Sequence, residues 1–162
     1  MKIKDWFENW GLTGLKLNTG FLHLEWEPQP EEQQAAWELY IELITRITTQ
    51  EIDGNSGDEA AALHSVYQIF GVTRQLLKEK GRKAETFSKI AIVILNQKIR
   101  PFTGVWHKRS LAGAFDNPAK CQQFWDELKP VQDVLRRYAA LLAAVAEVED
   151  FQKLDEGPLE SL

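Results

Sequence analysis

Two hydrophobic periods alternate along this chain, and the change from one to the other divides it. Ile3, Trp6, Phe7 and Trp10 recur at near-helical spacing, and Gly11 supplies a stop, so residues 1–11 read as a short amphipathic helix. Period two follows. Leu15 and Leu17 alternate with polar neighbours, Asn18-Thr19-Gly20 is a turn signal, and Leu22, Leu24 and Trp26 alternate with His23, Glu25 and Glu27. That pattern predicts a β-hairpin, closed off by Pro28 and Pro30. An isolated hairpin is marginal in water, so it must pack on the rest of the chain or offer its edge to another strand.

From Glu31 the period becomes helical. A first long helix is predicted over 31–49, with Trp37, Tyr40, Ile41, Ile44 and Ile47 as its apolar stripe and Glu38, Glu42 and Arg46 opposite. Asp53-Gly54-Asn55 and Ser56-Gly57 break the chain over 50–57. Asp58 is a good N-cap for a second helix that ends at Gly81, with Leu63, Val66, Tyr67, Phe70, Leu76 and Leu77 facing inward. The third, over 83–100, carries Phe87 and the run Ile90–Leu95 and is expected to be the most buried. Pro101 then kinks or restarts the chain into a short turn with Phe102, Val105 and Trp106. Asn117-Pro118 opens the last helix, which reaches about Val148 on Phe124, Leu128, Val131, Leu135, Tyr138, Leu142 and Val145 and bends at Pro130. The expectation is an all-α fold: an antiparallel four-helix bundle with kinked helices and a short N-terminal β-hairpin. Residues 1–30 form the aromatic segment and hairpin, 31–148 the bundle, and 149–162 an acidic flexible tail.

Composition agrees with one globular domain: 162 residues, 44% hydrophobic, with six Trp and eight Phe to fill a core. The apolar runs Ile90–Leu95 and Tyr138–Ala146 are far too short to span a bilayer. The first residues lack the apolar stretch of a signal peptide, and Cys121 is the single cysteine, so a cytoplasmic location is expected. Charge changes the picture more. Residues 1–73 hold four Lys/Arg against twelve Asp/Glu, residues 74–109 ten against two, and residues 110–162 five against ten. The basic segment makes Arg74, Lys78, Arg82, Lys83, Lys108 and Arg109 candidate anion-binding residues for RNA or another polyanion. The competing expectation is that this segment pairs with acidic neighbours.

Chemical signatures are mostly lacking. There is no phosphate-binding Gly-Lys-Ser/Thr loop, no G-x-G-x-x-G and no H-E-x-x-H. The residues three before His23, His64 and His107 are Gly20, Ala61 and Gly104, which excludes a Glu-x-x-His di-iron site, and neither metal nor cofactor is expected. Trp6, Trp10, Phe21 and Trp26 are candidate partner-binding residues, because tryptophan-rich patches anchor interfaces; the same rings are equally suited to closing one end of the bundle. The leading expectation is thus a non-enzymatic interaction module that docks on another protein or forms a homodimer, without contact to a membrane.

One segment stands out, Leu95-Asn96-Gln97-Lys98-Ile99-Arg100-Pro101-Phe102-Thr103-Gly104-Val105-Trp106-His107. Six residues separate Arg100 from His107, which resembles the Arg-x(4–6)-His motif of the HEPN superfamily of small helical ribonucleases. The resemblance implies two protomers that bring Arg100 and His107 together at a dimer interface and cleave RNA without a metal. The chemistry is reasonable: a histidine near neutral pKa moves the 2′-hydroxyl proton while an arginine stabilises the phosphorane. Most of the chain also resembles a family of small bacterial helical proteins with no assigned activity. The shared segments include Leu12–Lys16, Ala36–Tyr40, Thr45–Gln50 and Arg100-Pro101-Phe102 through Trp106-His107 to Phe115. That likeness implies a bacterial accessory role in anti-phage defence or signalling.

Overall fold

The first residues of the chain pair with residues 24–26 rather than standing alone. In the computed structural model, which describes residues 1–46 and 58–154, Ile3 N–H donates to the Leu24 carbonyl (3.1 Å) and Trp26 N–H to that of Met1 (3.0 Å). Lys2 and Glu25 form an isolated antiparallel bridge between them. Helix α1 (Ile3–Asn9) follows, buries Ile3 and Phe7, and reverses through Gly11, whose φ of 65° favours glycine.

The expected hairpin does not form; no strand occurs among the described residues. The alternating pattern is real, but its backbone groups find other partners. Gln97 takes the place of an opposing strand: Lys16 N–H donates to its Oε1 and its Nε2 donates to the Lys16 carbonyl, both at 2.7 Å. Asn18 caps Gly20 N–H, and Thr19–Leu22 wind into one helical turn, α2. The second half of the predicted hairpin pairs with the chain start instead, as described above.

Helix α3 (Pro30–Ile44) opens with proline in its first turn, where a missing N–H costs nothing. It ends at Ile44, short of the predicted Thr49; residues 47–49 and the predicted loop 50–57 lie outside the described residues. Its core face is Ala35, Ala36, Leu39, Tyr40 and Leu43, while Trp37, Ile41 and Ile44, expected at the centre of the stripe, are only half-buried. Helix α4 (Glu59–Lys80) is capped by Asp58, whose carboxylate accepts from Ala61 N–H at 2.9 Å. A 3₁₀ turn over Gly81–Ala84 leads to α5 (Glu85–Ile94). Helix α7 (Pro118–Val145) is capped by Asn117 and runs on through Pro130. Helix α3 packs on α4 and α7, and α6, described next, packs on the same two. The chain is all-α, and no helix among the described residues is long and apolar enough to cross a membrane.

Pro101 does not end the third helix. A π turn over Leu95–Ile99, in which Arg100 N–H donates back to the Leu95 carbonyl, passes directly into α6 (Arg100–Leu111). Pro101 thereby sits in a first helical turn, where it needs no donor. Among the described residues, five helices of ten or more residues thus stand where four were expected. The extra residue also rotates the buried face. Phe87, Ile90, Ala91 and Ile94 are buried in α5, and an unbroken helix would continue that face through Lys98, Pro101 and Val105. Ile99, Phe102, Thr103 and Trp106 are buried instead. Ile92, predicted to be deep in the core, is 48% exposed.

Residues 150–154 are not detached from the body. Tyr40 donates its hydroxyl to Asp150 (3.1 Å) and accepts from Phe151 N–H, and the Phe151 ring packs edge-on against Trp37 at 6.2 Å. Burial pushes the Tyr40 phenol up to about 12.

The one buried carboxylate among the described residues joins three segments. Glu32, 4% exposed, accepts from the Trp26 indole Nε1 (3.0 Å), Gln29 N–H (3.1 Å) and Phe87 N–H (3.0 Å). It therefore ties the N-terminal segment and the start of α3 to α5. Truncation strands three donors, two of them deep in the core. Glu32→Ala is expected to cost roughly 3 kcal/mol in urea unfolding, whereas a loss below about 1 kcal/mol would show the network to be dispensable.

Candidate functional site

The aromatic residues near the N-terminus are packed onto the body. Trp26 is 4% exposed, and Trp6 stacks on it obliquely with ring centroids 5.4 Å apart. Trp10 and Phe21 are half-buried against the same core, so Trp6, Trp10 and Phe21 keep part of their surface open whereas Trp26 does not. The Trp6 indole nitrogen is buried with no hydrogen-bond partner among the described residues.

The basic segment is partly neutralised. Lys80 pairs with Glu38 (2.7 Å), Lys83 with Glu31 (2.9 Å), Lys89 with Glu85 (2.6 Å) and Arg109 with Glu127 (3.3 Å). Arg109 also lies over the Trp106 ring, 4.7 Å from its centroid. Burial works to raise the Glu127 carboxyl, yet hydrogen bonds from Gln123, Trp106 and Arg109 outweigh it and hold the group below the usual carboxylate range. Arg74, Lys78, Arg82 and Lys108 are exposed and make no ion pair among the described residues. The six candidate anion-binding residues do not form one patch. Arg82 and Lys83 flank a hollow that also holds Glu25, Glu27 and Glu32, whereas Arg74 belongs to a groove on α4.

That groove lies between the end of α3, α4 and the start of α6, and encloses about 590 Å³. Arg46, Arg74 and Arg100 line it with His64, Tyr67 and Phe70, and no carboxylate among the described residues does. Two of its three arginines are held in place. Arg46 bonds to Glu42 (2.7 Å) and to Gln68 Oε1 (3.0 Å), and the Gln68 amide nitrogen lies 2.9 Å from His64 Nε2. Arg100 donates its Nε to Asn96 Oδ1 (2.9 Å), and its guanidinium covers the Phe70 ring at 4.7 Å. On the far side of Val72 and Gln75 lies a second hollow of about 370 Å³, lined by Glu38, Glu42 and Glu79, the first two of which are paired with Lys80 and Arg46. Two neighbouring grooves of opposite charge therefore share a wall.

Arg100 meets Phe70 and His107 meets Tyr67, so α4 and α6 run in opposite directions. The His107 and Tyr67 rings are near parallel, with centroids 6.2 Å apart. Arg100, Gly104, His107 and Leu111, spaced at helical intervals, are all exposed along α6. Arg100 and His107 thus share one face, two turns or roughly 10 Å apart along the axis.

Tyr67, expected in the core, is 58% exposed, and His64 and Arg46 join the groove without any motif in the sequence that marks them. Tyr67 stands four residues after the buried Leu63 and beside Val66, a spacing that does not separate the rim of an apolar face from its middle. Cys121 is half-buried and donates its thiol to the Phe115 carbonyl at 3.3 Å; burial pushes that thiol up. Among the described residues, no three His, Cys, Asp or Glu side chains gather as a metal site requires.

Comparison with protein-family models, with curated proteins and with solved structures returns no match to this chain.

Arg100 and His107 are both exposed; Arg100 covers the edge of the core at Phe70, and His107 meets the exposed Tyr67. Arg100→Ala is expected to cost about 0.5–1 kcal/mol through the lost contact with Phe70, and His107→Ala less than that. Urea unfolding checks both; a loss above roughly 2 kcal/mol in either would mark it as a structural residue.

Proposed function

We propose that this chain is a non-enzymatic binding module, an accessory subunit that docks on a partner protein through the α4–α6 face. One observation carries the reading: the exposed row Arg100, Gly104, His107 and Leu111 runs beside the exposed Tyr67, with Leu111 78% exposed. Tyrosine and arginine are the residue types enriched at interface hot spots, and a leucine so open to water is available for burial by a partner. The glycine in the row adds no bulk, which lets another surface approach the helix closely. The partner is a different protein or a second copy of this chain. The body that presents this face is best read as a four-helix bundle in which α5 and α6 act as one interrupted helix. The bacterial setting in defence or signalling rests on the whole-chain resemblance described under Sequence analysis.

A second reading draws on the same geometry. Arg100 and His107 share one exposed face of α6, as a metal-independent ribonuclease would need if two protomers met there.

The two readings separate on a common set of variants. Purified from its native cells, the parent chain is expected to carry a stoichiometric partner, or to sediment as a dimer, and Leu111→Glu is expected to lose the association with an unchanged Tm. Association that survives Leu111→Glu, or none in the parent, contradicts docking through this face. Cleavage of RNA in EDTA by the parent, lost in both Arg100→Ala and His107→Ala, replaces the docking reading with the enzymatic one.

A further inference from the structure

The groove beside the docking face has features that docking does not use. Its charge is mostly of one sign: three arginines and, among the described residues, no carboxylate line it, and while Arg46 is paired with Glu42, Arg74 and Arg100 make no ion pair among the described residues. Arg100 is also pre-oriented. Asn96 fixes its Nε and Phe70 supports its plane, while its two terminal nitrogens make no hydrogen bond among the described residues. A planar fork held in that way suits bidentate contact with a phosphoryl group. Tyr67, at the groove's edge, offers an open ring backed by His107 and by Phe70, each 6.2 Å away. Such a ring is a stacking platform for a flat heterocycle.

Size and surroundings limit the ligand. A cavity of about 590 Å³ falls within the range that holds small molecules. Past Val72 and Gln75 the wall carries Glu38 and Glu42, paired with Lys80 and Arg46, and Glu79, which makes no ion pair among the described residues, so a long polyanion laid along this direction would meet carboxylates. A compact anion avoids them. We propose that this groove binds a nucleoside polyphosphate, with Arg74 and Arg100 on the phosphoryl oxygens and Tyr67 under the base. The site does not require that a protein docks on α6, although Tyr67 and Arg100 border both surfaces.

Isothermal titration of the full chain with ATP, GTP, inorganic triphosphate, a ten-uridine oligoribonucleotide and a ten-glutamate peptide tests the assignment. ATP or GTP is expected to bind, and Arg74→Glu to weaken nucleotide and triphosphate alike by about tenfold or more. Tyr67→Ala is expected to weaken the nucleotide about fivefold or more, to leave triphosphate within about twofold, and Tyr67→Phe to restore it. Leu111→Glu, outside the groove, is expected to bind nucleotide as the parent does, so a failure of docking and a failure of this site are told apart. Circular dichroism confirms that each variant is folded. The proposal is overturned if neither nucleotide binds at millimolar concentration, or if Tyr67→Ala leaves nucleotide affinity intact, which would make the groove a plain phosphate site. Tighter binding of the oligoribonucleotide or of the peptide than of ATP would overturn it in favour of a polymer.

Discussion

Pro101 cannot donate the hydrogen bond that an unbroken helix from Glu85 to Leu111 would ask of it, and the molecule is arranged around the way that demand is removed. The π turn over Leu95–Ile99 widens the helix by one residue just before the proline. One residue is about 100° of rotation, so everything C-terminal to it presents a different face. Without that rotation Lys98 and Val105 would point at the core. With it, Ile99, Phe102 and Trp106 are buried, and Arg100, Gly104, His107 and Leu111 line up in the open. The side chains of the π turn itself are also used. Gln97 holds the backbone of Lys16, Lys98 donates to the Thr13 carbonyl at 2.9 Å, and Asn96 holds Arg100.

The two ends of the fold divide the work accordingly. At one, Glu32 binds Trp26, Gln29 and the N–H of Phe87, and the tryptophans near the chain start pack over it. The carboxyl oxygens of Glu32 accept from N–H donors of three segments, an arrangement that specifies where the N-terminal segment sits. Along the other face of α4, charge is left unbalanced. Carboxylates collect in one hollow and arginines in the next, and one ion pair, Arg46 with Glu42 at 2.7 Å, joins the two. Surface pairs contribute little to stability, so little is given up by leaving Arg74, Arg100 and Glu79 without ion pairs among the described residues, and a field suited to an anionic ligand is gained.

Much of this was legible in the sequence, and the failures have physical causes. The caps at Asp58 and Asn117, the stop at Gly11 and the all-α class follow from local chemistry that acts within a few residues. The hairpin failed because a period-two pattern states only which side chains turn inward. It does not say which groups satisfy the backbone, and here a glutamine 81 positions away and the chain start do so. The break at Pro101 was expected, but a proline alone does not reveal that the helix resumes one residue out of phase. The shift is traceable in hindsight, since Ile99, Phe102 and Trp106 fit a core face that Lys98, Pro101 and Val105 cannot. Arg100 and His107 were marked by their spacing, whereas the partners that make a site of them, Tyr67 and Phe70, come from another helix and share no local pattern with them.

The rotation of α6 is the claim on which both the docking face and the groove rest, and proton–proton nuclear Overhauser effects between the facing rings test it most directly. Contacts from the Tyr67 ring to His107, together with contacts from the Phe70 ring to the side chain of Arg100, are the expected result. Contacts from Tyr67 to Trp106 and from Phe70 to Ile99 would place α6 in the phase of an uninterrupted helix and contradict the account.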